Sequence, residues 1–183
     1  MNIRLFTEIS LSVALAAVLG LIKIPLPHLL YGGSVSLEAL PIFVVAFRHG
    51  GRVGLVTGVV YGLIDFLLKP IIVHPIQVFL DYPLAFGLLG LGGGWVGGFG
   101  RKGEGGIDWR LRILGVAGIS VGNGMRFAVH FLSGMVFFAS YAPQGQPIWF
   151  YSLTYNASYI IPQLVFHILL LQTMLKLIML KPQ

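Results

Sequence analysis

Formal charges are sparse along this chain, and the apolar runs between them have the length of helices written for a bilayer. Glu8 and Lys23 bracket the charge-free "ISLSVALAAVLGLI"; Lys23 and Arg48 enclose only Glu38, and Arg52 and Lys69 enclose only Asp65. From Pro70 to Gly100 the one formal charge is Asp81, and from Ile113 to Leu175 it is Arg126. Turn-forming clusters sharpen these windows: "IPLPHLLYGG" at 24–33, "RHGGR" at 48–52, "KPIIVHP" at 69–75, "GRKGEGGIDWR" at 100–110 and "YAPQGQP" at 141–147. The pattern predicts six helices, over about 4–24, 36–48, 53–69, 75–98, 111–138 and 150–178. The second, roughly 20 Å long as a helix, is too short to cross a bilayer alone. It is expected to start below the outer surface and to line a cavity.

Composition agrees with this reading. Hydrophobic residues make up 56% of the chain and charged ones 10%, with a mean hydropathy of +0.88, far too apolar for a water-soluble domain. A span needs about 20 residues, so 183 residues hold six spans with short connections. The expected fold is an all-α integral membrane protein, a six-helix transmembrane bundle forming one domain over residues 1–183. No cysteine is present, which excludes disulfides, thiolate catalysis and cysteine-ligated metals.

The basic residues predict orientation. With the N- and C-termini cytoplasmic, Arg4, Arg48, Arg52, Arg101, Lys102, Arg110, Arg112, Lys176 and Lys181 fall inside, against Lys23 and Lys69 outside. The net charge of +6 then reports topology, and nucleic acid is not an expected partner. Arg4, the apolar run after it and "ALA" at 14–16 imitate a signal peptide, but Glu8 interrupts the start and five more spans follow.

Catalytic motifs are missing. "GFGRKG" at 98–103 matches GxGxxG formally but follows a helix rather than a strand, so it reads as a flexible linker. There is no Walker A sequence, HExxH or GxSxG, and His28, His49, His74, His130 and His167 are scattered. No enzymatic activity, cofactor or metal is expected.

Polar residues inside the spans make a pattern when ordered by depth. Glu38, Asp81 with Tyr82, Arg126 with His130 one turn on, and Tyr151, Tyr155 and Asn156 all fall toward the outer ends of their helices. Polar groups at membrane depth face a bundle interior or a cavity, so these are expected to converge on an outward-opening pocket. Tyr31, Tyr61, Phe79, Phe138 and Trp149 are the candidate walls. Carboxylates among aromatic faces suit a flat, cationic heteroaromatic ligand, through charge neutralisation and cation–π contact. Plainer readings stand beside this one. Asp81 can pair with Arg126, His130 can be a core histidine, and Tyr151, Tyr155 and Trp149 can belong to an interfacial aromatic belt. On the outer side of the chain Glu38 has no nearby basic residue in sequence except Lys23, and Asp65 has no assigned role. Arg126 is the one cation expected near the pocket, which argues against phosphate esters.

In this order, "RLFTEISLSVALAAVLGLI", "SLEALPIF", "FLDYPLAFGLLGL", "RFAVHFLSGMVFF" and "YSLTYNASY" resemble the ThiT family, the thiamine-specific substrate-binding (S) subunits of energy-coupling factor (ECF) transporters. The resemblance covers nearly the whole chain. It implies that Glu38, Tyr82, His130, Tyr151 and Asn156 contact the ligand, and that Asp81 replaces the family's usual glutamate and faces the thiazolium. It also implies aromatic contacts from Tyr61 and Phe138, at positions where family members carry tryptophan; at Ser34, a third such position, no ring is present. The partners implied are a membrane coupling subunit and two ATPases. Docking is expected on the first helix through the small residues Ser10, Ala14 and Ala17, which serve internal packing equally well. The expected mechanism is capture from outside, closure by "IPLPHLLYGGSVS" and by the loop "SYAPQGQPIWF", and inward release, in a multi-pass protein of the bacterial cell membrane. A thiamine precursor, another cationic heterocycle, or a stand-alone proton-coupled carrier using Asp81, Glu38 or Asp65 are the alternatives.

Overall fold

The computed structural model describes residues 3–24, 26, 33–97 and 109–179. Six helices make up these residues: α1 (Ile3–Leu21), α2 (Ala39–His49), α3 (Gly51–Leu68), α4, α5 (Trp109–Phe137) and α6 (Ile148–Met179). α4 runs continuously through Pro75–Phe79, a π-helical turn at Leu80–Leu84, and Ala85–Gly97. The linker "GFGRKG" and most of the first loop, with His28 and Tyr31, lie outside the described residues. Helix boundaries follow the charge-and-turn pattern within a few residues. One element departs from an all-helical expectation: Lys23–Ile24 (β1) pairs antiparallel with Val35–Ser36 (β2), Lys23 opposite Ser36. This two-residue ladder closes the first loop at its base and brings Lys23 toward the start of α2.

α1, α3, α4 as far as Trp95, and α6 are long and apolar enough to cross a membrane. α5 has the length, at 29 residues, but carries Asn123, Arg126 and His130. Asn123 and Arg126 are buried in the bundle, the arrangement that polar groups at membrane depth require. α2, with 11 residues, is too short, about 16 Å, and is the most enclosed helix. Ala39, Leu40, Pro41, Ile42, Phe43, Val45, Ala46 and Phe47 are all buried. Phe43 and Phe47 join Phe86, Leu89, Ile119 and Leu171 in the main apolar core.

The close approach of α3 to α4 explains part of the high glycine content. Gly54, Gly58 and Gly62, one turn apart on α3, face the backbone of Gly90, Phe86 and Tyr82 on α4, and a Cβ on Gly58 would overlap the Phe86 carbonyl. In a bilayer, where lipid tails are as apolar as leucine, such backbone proximity is a main source of helix association. Pro83 accounts for the irregular turn in α4. It lacks an N–H, and its ring crowds the carbonyl four residues before it. The wider π turn relieves that crowding, and it leaves the sequence neighbours Asp81 and Tyr82 both facing inward.

Gly58→Val should therefore lower the thermal stability of the detergent-solubilised chain by about 1–3 kcal/mol, the usual cost of overpacking. Gly124→Ala, where nothing lies within 4 Å of the added Cβ, should leave it unchanged or slightly raised. Equal melting temperatures for the two variants would mean that the α3–α4 contact is looser than described.

Candidate functional site

A cavity of about 470 Å³ opens at the end of the bundle where α1, α3 and α5 finish and α4 and α6 begin. Its volume is within the ordinary range of small-molecule sites, roughly 300–1,000 Å³. Charged and polar side chains on its lining form one connected network. Glu38, at the start of α2, meets Arg126 of α5 at 3.3 Å and Lys69 at 3.6 Å. Lys69 also binds Asp65 at 2.9 Å, one turn back on α3. The Tyr61 hydroxyl donates to Glu38 at 2.9 Å from beneath the lining. Position helps as well, since a carboxylate at a helix N-terminus is favoured by the helix dipole.

Arg126 has further contacts. Its guanidinium lies 4.3 Å from the centre of the Phe86 ring, donates to Gln163 at 3.4 Å and donates through Nε to His130 Nε2 at 3.3 Å. An arginine only donates, so His130 Nε2 must accept, and the proton of the neutral ring sits on Nδ1. Nδ1 faces Asp81 Oδ1 at 3.2 Å. The other Asp81 oxygen accepts from Gln77 Nε2 at 2.7 Å. Among the described residues, Asp81 thus contacts no lysine or arginine, whereas Glu38 has two cations and Asp65 one.

A second cluster arranges the α6 side. Asn156 donates to the Ser152 and His130 carbonyls and accepts from the Tyr159 hydroxyl at 2.8 Å. Ser152 donates to the Phe131 carbonyl at 2.7 Å, locking α6 to α5. Gln163 donates to the Ser34 carbonyl at 2.8 Å, which ties the strand before Glu38 to α6.

The structure brings Glu38, Asp81, Tyr82, His130, Phe138, Tyr151 and Asn156 onto this one lining. Tyr61 is not on it; the side chain is fully buried behind Glu38, packed edge-on against Phe86 at 4.7 Å. Two other expected walls are corrected. Phe79 is 56% exposed and off the lining, and Trp149 is 53% exposed in the first turn of α6, against Phe150. Tyr82, Phe86, Tyr151, Tyr155 and Tyr159 supply rings instead, with Phe138. The plainer reading in which Asp81 pairs with Arg126 is not what the structure shows: Glu38 meets Arg126, and Asp81 faces His130. Arg126 is not the lone cation either, since Lys23 and Lys69 are also on the lining. On α1, Ser10 and Ala14 are exposed, while Ala17 is half-buried and packs against the core.

Sequence reasoning missed Lys69, Gln77 and Gln163. A usable signal existed for the first two, since Asp65–Lys69 and Gln77–Asp81 are one helical turn apart, the spacing that makes side chains neighbours. Gln163 touches Arg126 and Ser34 from far along the chain, and no local pattern announces that.

Comparison with known proteins adds the following. The family described as "Thiamine transporter protein (Thia_YuaJ)" matches residues 6–181. The thiamine transporter ThiT of Bacillus subtilis is 36% identical over 159 residues, covering 86% of this chain and 83% of that protein. ThiT of Lacticaseibacillus paracasei is 32% identical over 152 residues, covering 80% and 76%. A solved ThiT structure from Listeria monocytogenes superposes with a TM-score of 0.80 at 24% identity over 96% of both chains. A solved S component of a bacterial ECF transporter gives 0.62 at 19% identity, over 97% of this chain and 98% of that one. The two solved structures share the fold described above.

The ion-pair network makes a stability prediction that needs no ligand. Glu38→Gln strands Arg126 without a carboxylate and should cost about 3–5 kcal/mol, as breaking a buried pair does. Arg126→Gln should cost less, because Lys69 and Tyr61 still satisfy Glu38. In thermal unfolding, the double variant should lose less than the sum of the single losses. Strict additivity would show that the pair is not coupled.

Proposed function

This chain belongs to the thiamine transporter family, and on that premise we propose that it is the thiamine-binding S component of an ECF-type uptake transporter. The observation that carries the reading is the unequal neutralisation of the cavity carboxylates. Glu38 and Asp65 are held by Arg126 and Lys69, while among the described residues Asp81 meets an imidazole and an amide and no lysine or arginine. An anionic carboxylate at membrane depth is costly unless a positive charge reaches it, and a cationic thiazolium is such a charge. The tyrosines and phenylalanines on the lining offer faces for its two flat rings. Glu38, Tyr82, His130, Phe138, Tyr151 and Asn156 line the rest of the binding site, and Tyr61 acts on the ligand through Glu38.

In this reading the chain is a single membrane domain, residues 1–183, in the bacterial plasma membrane with both termini cytoplasmic, so that the cavity opens outward. It captures the vitamin and catalyses no reaction. A coupling subunit and two ATPases supply the energy, and the exposed Ser10 and Ala14 with Ala17 give α1 a flat face for close docking on the coupling subunit. The presence of Lys23 and Lys69 on the lining removes the charge argument against phosphate esters, so the monophosphate is a second ligand to test.

Calorimetric titration of the purified, ligand-stripped chain with thiamine should show one-to-one binding. Asp81→Asn should weaken it roughly tenfold to a hundredfold, the loss of one charged hydrogen-bonding partner, with the melting temperature of the free protein little changed. No heat and no thermal stabilisation of the wild-type chain would remove thiamine as the ligand. Reconstituted in vesicles alone, the chain should not accumulate thiamine; accumulation would make it a stand-alone carrier.

A further inference from the structure

Gln77 is 1% exposed, is on the cavity lining, and has not so far been given a role. Its amide makes two contacts of opposite kind. Nε2 donates to Asp81 Oδ2 at 2.7 Å, and Oε1 accepts from the Val73 backbone N–H at 3.0 Å. A carboxylate only accepts and a backbone N–H only donates, so the amide has one allowed orientation. It is a fixed bridge between the ligand-facing carboxylate and the α3–α4 connection.

That connection is held a second time, from the residue after Asp81. The Tyr82 hydroxyl donates to the Lys69 carbonyl at 2.7 Å and accepts from the Ile71 N–H at 2.8 Å. Lys69, Pro70 and Ile71 themselves line the cavity. One face of α4 therefore fixes the carboxylate and the adjoining cavity wall together. Among the described residues, each Asp81 oxygen has one protein donor, Oδ1 from His130 and Oδ2 from Gln77. A carboxylate offers about four lone-pair sites, so acceptor capacity remains for a ligand.

We propose that Gln77 is a positioning residue for the cationic part of the ligand: it aims the Asp81 carboxylate into the cavity and couples it to the wall at 69–73, which slows ligand escape. This inference rests on the proposed binding of a cationic heterocycle at Asp81. Removal of the bridge should therefore penalise charge recognition selectively, because an unanchored carboxylate can turn away from the cation, while contacts to the uncharged parts of the ligand persist.

The test is to titrate wild-type protein and Gln77→Leu with thiamine and with a neutral isostere in which an uncharged thiophene replaces the thiazolium. Gln77→Leu should weaken thiamine binding at least tenfold and speed its dissociation, while the neutral isostere changes less than about twofold. Equal losses for both ligands would make Gln77 a merely structural residue, and no loss for either would give it no part in binding; both results overturn the proposal. Should Gln77→Leu fail to fold, Gln77→Asn, one methylene too short to bridge, carries the same expectation. A wild-type chain that binds neither ligand would defeat the underlying functional reading, which is distinct from a wild type that binds while the variant loses both ligands alike.

Discussion

The ion pair between Glu38 and Arg126 is the constraint on which the rest of the bundle depends. An arginine midway along a helix at membrane depth has to be met by an anion inside the protein, and Glu38 is the carboxylate that meets it among the described residues. To place a carboxylate there, α2 must begin deep in the bundle, which accounts for its length of 11 residues and for its burial. Helices packed around a central short one need backbones close together, and the glycine ridge of α3 against α4 provides that. Tyr61, Lys69 and Gln163 then complete the shell around the pair.

The same pairing divides the labour among the carboxylates. Because Arg126 and Lys69 are committed to Glu38 and Asp65, Asp81 is left to His130 and Gln77, with no lysine or arginine in contact among the described residues. The contact of Arg126 with His130 contributes as well, since it fixes the tautomer that points a donor at Asp81. Among the described residues, the cavity thus pairs Glu38 and Asp65 with Arg126 and Lys69 and sets Asp81 among aromatic rings with no lysine or arginine in contact, Lys23 lying elsewhere on the lining. On the proposed function, Asp81 among these rings receives the cationic part of the ligand, which paired carboxylates could not do as well.

The spans were legible in the sequence because charge in a membrane chain is expensive and marks helix ends. The cavity-lining positions of Glu38, Asp81, His130 and Asn156 were legible for a related reason, since polar residues inside spans have few places to face. The pairing was not. Glu38 and Arg126 are 88 positions apart, and which carboxylate meets the arginine depends on helix rotation and depth, neither of which one sequence contains. Aromatic residues were the least legible. Phe79 and Trp149 are as compatible with lipid as with a cavity wall, and the π turn at Pro83 shifts the facing of α4 beyond what a regular helical period predicts. The i, i+4 pairs Gln77–Asp81 and Asp65–Lys69 could have been read from spacing alone.

The most direct measurement is an experimental structure of the chain with thiamine bound. The account predicts the vitamin in the cavity among Glu38, Asp81 and Asn156, its cationic ring within about 4–6 Å of the Asp81 carboxylate, and the Glu38–Arg126–Lys69 network intact beside it. Thiamine seated elsewhere, or lying with its thiazolium away from Asp81 and beside Glu38 with Arg126 displaced, would contradict the assignment of Asp81 as the cation's partner.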